Sequence, residues 1–186
     1  MGDSLVVVAP WHKYSGDRIK IIIEPGMAFG TGHHGTTRMC LEEIEELARR
    51  GCRSLLDVGT GTGILAIAAR KLGFTEVVGV DIDPEAVTIA VENARINGVE
   101  EVRFFCKPVR EVEGSFDLIA ANLTAQTIKD LMDDMLRHLK GDGFLILSGI
   151  LSEQKEEIEE LLRQRGISCL KVRELEGWLT FLASPI

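Results

Sequence analysis

Leu55-Leu56-Asp57-Val58-Gly59-Thr60-Gly61-Thr62-Gly63-Ile64, followed downstream by Val80-Asp81-Ile82-Asp83-Pro84, is the stretch that decides the reading of this chain. An apolar run ends in a glycine turn, an apolar helical pattern follows, and a second β-branched run ends on a carboxylate. This is a βαβ unit of the kind that binds an adenosine-containing ligand: glycines let the backbone approach, and the later acid accepts from the ribose hydroxyls. The chemistry of the turn then selects among such ligands. A dinucleotide needs helix-terminal N–H groups unopposed by negative charge. Here Asp57 stands two residues before Gly59, and no Lys or Arg follows until Arg70. An anion at that spot repels a diphosphate but suits a ligand carrying an ammonium and a sulfonium. The expected cofactor is therefore S-adenosylmethionine, with Asp57, Gly59, Gly61 and Asp81 among its binding residues. The spacing agrees, with Ile64 where a dinucleotide site usually places its third glycine. A glycine turn without a ligand, and a nicotinamide or flavin site, stay open as alternatives. Asp83 has its own reading as the cap of a helix opening at Pro84.

Outward from this unit, β-branched runs alternate with helical patterns, which predicts a mostly parallel sheet with crossover helices, a Rossmann-like doubly wound α/β fold. Strands are expected near residues 54–58, 76–81, 101–106, 116–121 and 143–149, and helices near 63–72, 84–97, 124–139 and 152–165. Gly51, Gly73, Gly98, Gly141 and Gly166 read as helix-terminal glycines. Two extended segments, about 167–174 and 178–183, are joined by Glu176-Gly177 and predict a C-terminal antiparallel hairpin. Before the core, Leu5–Ala9 and Arg18–Glu24 read as short strands. Residues 1–35 are thus expected to form N-terminal strands and a glycine-rich loop, and residues 36–186 the cofactor-binding core of one compact domain.

Bulk properties narrow the function classes. The chain has 186 residues, 45% hydrophobic and 27% charged, which suits one globular domain. A net charge of −8 argues against direct nucleic-acid binding, because phosphates demand a basic face, and suits a basic partner. Cys40, Cys52, Cys106 and Cys169 lie far apart, without a Cys-x-x-Cys pair, and read as free, mostly buried thiols of a reducing cytoplasm. No apolar run reaches transmembrane length, so no membrane role is expected.

The segment Pro25–Gly35 holds four glycines in eleven residues, together with Phe29, His33 and His34, and reads as a working loop. It feeds a helix N-terminus where Thr36 or Thr37 could cap and free N–H groups could meet a carboxylate. Adjacent histidines without a ligand-spaced acid or thiol do not make a metal site, so no metal is expected. A part in proton removal or loop closure stays open for one of them. His12 and His138 read as surface residues. Asn122 falls just past the fourth core strand, at the carboxyl edge where such sheets bind ligands. Its amide oxygen could accept from the cofactor or from an incoming amine, and a plain turn-forming role also stays open. Methyltransferases acting on planar nitrogen acceptors resemble Asn-Pro-Pro-aromatic at such a place; Asn122-Leu123-Thr124-Ala125 has no ring, and by that comparison an aliphatic amine is favoured. Glu42-Glu43-Ile44-Glu45-Glu46 and Glu156–Glu160 read as solvated helix faces, the latter on a helix whose Ile158, Leu161 and Leu162 would face the sheet.

Glu24-Pro-Gly-Met-Ala-Phe-Gly-Thr-Gly-His-His34, the glycine turn, Val80-Asp-Ile-Asp-Pro84, Ala121-Asn-Leu123 and Leu147-Ser-Gly-Ile-Leu151 together resemble the ribosomal protein L-eleven methyltransferase family, over essentially the whole chain. The resemblance implies a class I, S-adenosylmethionine-dependent methyltransferase acting on lysine or N-terminal amines of a ribosomal protein in the cytoplasm. It implies cofactor contacts at Thr37, Gly59, Asp81 and Asn122, and a loop around Phe29 and Gly30 that closes over the reaction centre. Asn122, Phe29 and Gly30 are accordingly the expected catalytic residues. Family members carry an additional N-terminal substrate domain, which this sequence is expected to lack. Methylation of another protein's lysine or of a small molecule, a nicotinamide-dependent oxidoreductase, and a degenerate partner-binding domain remain alternatives.

Overall fold

The computed structural model describes residues 2–24 and 35–186. The expectations for Phe29, Gly30, His33 and His34 therefore lie outside the described residues. Two short strands, β1 (Leu5–Val8) and β2 (Ile19–Ile22), pair in parallel, and α1 (Gly35–Arg49) leads into the core. The core alternates as expected: β3 (Ser54–Val58), α2 (Ile64–Lys71), β4 (Glu76–Asp81), α3 (Pro84–Ile96), β5 (Arg103–Cys106), β6 (Phe116–Asn122), α4 (Ala125–Leu136), β7 (Leu139–Leu151), α5 (Lys155–Gln164), β8 (Ile167–Leu175) and β9 (Trp178–Pro185). The sheet order is β5-β4-β3-β6-β7-β9-β8, with β3 to β7 running parallel and β9 antiparallel to both β7 and β8. Successive strands step outward from β3 to β5, and the chain then returns to place β6 on the other side of β3. The carboxyl ends of β3 and β6 therefore open a crevice between them, where ligands bind in such folds.

Strand sequences explain the layers. Consecutive side chains of a strand point to opposite faces. Leu55, Leu118 and Ile146 join a core under α1 and α2, whereas Leu56, Ile119 and Leu147 join a second core under α4 and α5. Central strands buried on both faces must be apolar at every position, which is why they read as runs rather than as alternation. Ile158, Leu161 and Leu162 of α5 face the sheet as expected. Glu176 and Gly177, both at positive φ, make the expected hairpin turn.

Several local expectations are corrected. Gly51, Gly73, Gly98 and Gly166 take positive φ just past a helix, but α4 stops at Leu136 and Gly141 lies inside β7, which starts at Leu139 rather than near 143. Thr36 and Thr37 lie within the described first turn of α1 rather than capping it, and both are buried. His138 is not a surface residue: it is 8% exposed, and its Nδ1 lies 3.0 Å from Gly114 O. Of the four thiols, Cys40 and Cys52 are buried, and Cys106 and Cys169 are exposed. The acidic run on α1 is only partly solvated. Glu43 and Glu45 are 2% and 3% exposed: β8 brings Lys171 and Arg173 onto Glu43, and Glu45 lies beside Gly2 and pairs with Arg49.

Candidate functional site

The crevice at the carboxyl ends of β3, β4 and β6 is a cavity of about 730 Å³, a size suited to a small-molecule cofactor. Six of the sequence-predicted positions, Thr37, Asp57, Gly59, Gly61, Asp81 and Asn122, line it together.

The glycine turn is built by backbone hydrogen bonds to the neighbouring strand. The N–H groups of Gly59 and Thr60 both donate to Val80 O at 2.9 Å, and Gly63 N donates to Thr60 O at 2.8 Å. Gly61 N donates to Asp81 Oδ2 at 3.0 Å. Four donors that a phosphate would need are thereby occupied, and α2 behind them carries no acidic or basic side chain in its first turn. The turn offers shape rather than positive charge. Gly59 takes φ +71, and a Cβ there would run into the Leu123 side chain, 3.3 Å from its Cγ. The positive φ favours glycine, and an added Cβ would also push the Leu123 side chain aside.

Three polar groups converge on this apolar slot. Asp57 is buried at the end of β3, where its Oδ2 accepts from the Thr60 hydroxyl at 2.7 Å. Burial pushes its carboxyl up to about 7; the Thr60 hydroxyl and the Ala66 N–H oppose this, and the charge of Asp81 adds to it. Asp81, partly exposed at the end of β4, accepts from Gly61 N and from Asp83 N, each at 3.0 Å, which fixes its carboxylate at the cavity wall. Asp83 itself caps α3, accepting from Glu85 N at 2.9 Å with proline at the first helical position, as the sequence predicts. Asn122 ends β6, its Nδ2 donating to Thr37 Oγ1 at 3.4 Å. Its buried Oδ1 has no hydrogen-bond partner among the described residues. An acceptor held dry and unpaired beside a cavity is costly unless a ligand donor satisfies it.

These groups fit S-adenosylmethionine. Asp81 matches a pair of ribose hydroxyls, buried Asp57 matches positive charge, and Asn122 Oδ1 matches an N–H donor. Sequence reasoning missed other lining residues. Ile82 is 79% exposed although apolar, and borders the cavity next to Asp81, with Pro108 and Val109 also lining it; an aliphatic surface there suits a flat base. An isoleucine between two surface carboxylates was the available signal. Gly149 and Trp178 line the end near Asn122. Among the described residues, no group of three or more His, Cys, Asp or Glu could hold a metal ion.

Residues 1–184 match the family model described as Ribosomal protein L11 methyltransferase (PrmA). A ribosomal protein L11 methyltransferase of Symbiobacterium thermophilum is 45% identical over 186 residues, covering 98% of this chain and 60% of the relative. One from Acetivibrio thermocellus is 42% identical, covering 97% of this chain and 58% of the relative. The chain thus spans about three fifths of the length of these curated relatives. A crystal structure of a ribosomal protein L11 methylase from Lactobacillus delbrueckii subsp. bulgaricus superposes with a TM-score of 0.93 at 36% identity, covering 99% of this chain and 96% of that one.

Proposed function

The chain belongs to the ribosomal protein L11 methyltransferase family, and on that premise we propose that it is a protein N-methyltransferase. It uses S-adenosylmethionine to methylate lysine or N-terminal amines of a ribosomal protein. The observation that carries this reading is the pairing of a donor-poor glycine turn with the buried Asp57 carboxylate, a cradle for a cation rather than a diphosphate. When bound, the cofactor would supply an electrophilic methyl carbon, activated by its sulfonium leaving group, to a neutral amine.

The chain's own residues bind, orient and exclude water. Asp81 takes the ribose hydroxyls, Gly59 and Gly61 let the ligand lie against the backbone, and Ile82 carries the base. Asp57 faces the positive charge of the methionine end, and Thr37 and Asn122 hold its far side. Asn122 Oδ1 is the acceptor toward which an amine N–H points, turning the nitrogen lone pair toward the methyl. A lysine must arrive neutral, and the apolar slot favours that by disfavouring the ammonium. Phe29 and Gly30, outside the described residues, are assigned to a closing loop on the family resemblance. In this reading residues 1–35 form the entrance and residues 36–186 the catalytic core. The net charge of −8 supports a basic protein partner and no direct contact with nucleic acid. No helix among the described residues is long and apolar enough to cross a membrane; a cytoplasmic location is inferred from the family resemblance alone.

The test is direct. Calorimetry with S-adenosylhomocysteine and with NAD should show binding of the sulfur compound alone, and labelled S-adenosylmethionine should mark purified ribosomal protein L11. Binding of NAD instead, or no label on any ribosomal protein, defeats the proposal.

A further inference from the structure

Asn122 is useful only if the segment that carries it is held still, and the structure shows an unusual device beneath it. In the β7–β9 ladder Ser148 pairs with Thr180 and the next pair is Ile150 with Leu179, so Gly149 is an extra residue in a bulge. Bulges re-aim a strand next to functional sites. Gly149 takes φ +86, and a Cβ there would fall well inside contact with Leu123 O, 2.9 Å from its carbonyl carbon and 3.1 Å from its nitrogen. The backbone of Leu123 lies directly on the bare Cα of the bulge.

Leu123 is the residue after Asn122, and it is gripped from two sides. Its N–H donates to Ser148 O at 2.9 Å, and Asn122 pairs with Ser148 in the β6–β7 register. Ser148 is itself buried, its Oγ lying 2.5 Å from Thr180 Oγ1 and donating to Leu179 O at 3.2 Å. On the opposite side the Leu123 side chain rests against Gly59 of the glycine turn. Leu123 is therefore wedged between two positive-φ glycines, one under the cofactor and one in the bulge, and all three line the cavity.

We propose that Gly149 is a positioning residue for methyl transfer: by letting Leu123 sit on its Cα, it fixes the Asn122 amide at the reacting centre. The inference rests on the methyltransferase reading and deepens it. In-line transfer is sensitive to placement, and an error of about 1 Å costs about 100-fold in rate. The cofactor's ribose and base contacts lie at the ends of β3 and β4, away from the bulge.

The experiment compares Gly149→Ala with Gly51→Ala, which carries the same kind of backbone strain at φ +99 with nothing within 4 Å of an added Cβ. Three quantities are read for each: the Kd for S-adenosylhomocysteine, kcat at saturating acceptor, and Tm. For Gly149→Ala the expected result is kcat lowered about 100-fold with the Kd weakened by no more than about tenfold, since Asn122 is one proposed cofactor partner among several. Gly51→Ala should lose Tm with kcat kept. If Gly149→Ala fails to fold, Leu123→Pro tests the same grip from the other strand, since it deletes the N–H bonded to Ser148 O; kcat should again fall by about tenfold or more, and by a larger factor than the Kd weakens. Unchanged kcat in the folded variant, or a Kd that worsens in step with kcat, overturns the proposal. A parent protein that methylates no amine overturns the underlying reading instead, so the two failures are distinct.

Discussion

Asp57 and Asp81 end neighbouring strands of one sheet, yet their surroundings prepare them for different work. Asp81 is partly exposed and already accepts two backbone N–H groups, so it is a fixed carboxylate ready for two hydroxyl donors. Asp81→Ala should weaken S-adenosylhomocysteine binding by at least about tenfold, roughly 1.4 kcal/mol, by calorimetry. Asp57 is buried, and its carboxyl is pushed up to about 7 chiefly by desolvation. Between its ordinary value of 3.8 and about 7, the unfolded chain has released this proton while the folded chain keeps it. Fold stability therefore declines as pH rises through that window, and the cost is fully present above it. A cationic ligand favours the ionised form, so affinity should climb as pH rises from about 6 to 7.5. Asp57→Asn should flatten that climb and weaken binding, yet raise the Tm of the free protein above pH 7. A variant with a parental pH profile would remove Asp57 from the ligand. Both acids were legible in the sequence, because each is defined by its offset from one local glycine turn. Gly149 has no role legible in its own motif, because the role proposed for it is a contact with Leu123 on another strand. Ile82 acquires meaning only once its exposure is known.

At the level of elements, α1 shows where a charge pattern misleads. Its run of glutamates reads as a solvated face, and Glu42 and Glu46 are partly exposed. Glu43 is enclosed because the C-terminal hairpin folds over the helix, and Lys171 Nζ lies 2.9 Å from both of its carboxylate oxygens. Arg173 bridges Glu43 at 3.3 Å and Glu42 at 2.5 Å. These partners come from a strand more than a hundred residues away, so no local window could announce them. Gly141 misled for a related reason: pairing of Leu139 with Phe116 draws the chain into β7 earlier than the glycine suggests. The βαβ elements themselves were readable, because central strands must be apolar on both faces whatever their neighbours are. The network also makes an asymmetric prediction. Glu43→Gln leaves two cations that can still reach solvent, and should cost about 1–2 kcal/mol. Lys171→Ala with Arg173→Ala strands a buried carboxylate and should cost about 3–5 kcal/mol. Urea denaturation measures both, and equal losses would mean that Glu43 is not held dry by the hairpin.

Across the whole molecule, one sheet separates two kinds of demand. Its carboxyl edge gathers a shaped, mostly apolar slot for the cofactor, while the chain as a whole carries 29 acidic against 21 basic residues. The slot works at contact distance, where a buried carboxylate is little affected by salt. In the proposed function the surface works at long range, drawing in a basic protein before its lysine reaches Asn122. Electrostatic steering of that kind fades as the screening length falls from about 30 Å at 0.01 M salt to about 10 Å at 0.1 M. Raising salt across this range should therefore raise KM for the basic protein acceptor several-fold and slow its association. The Kd for S-adenosylhomocysteine should move by less than about twofold over the same range, because its proposed partners, the Asp57 carboxyl and Asn122 Oδ1, are buried. The two dependences can be read from one protein preparation, by initial rates and by calorimetry. If KM for the protein acceptor stays flat while salt rises tenfold, the acidic surface serves solubility alone, and recognition must rest on short-range contacts around the cavity mouth near Trp178.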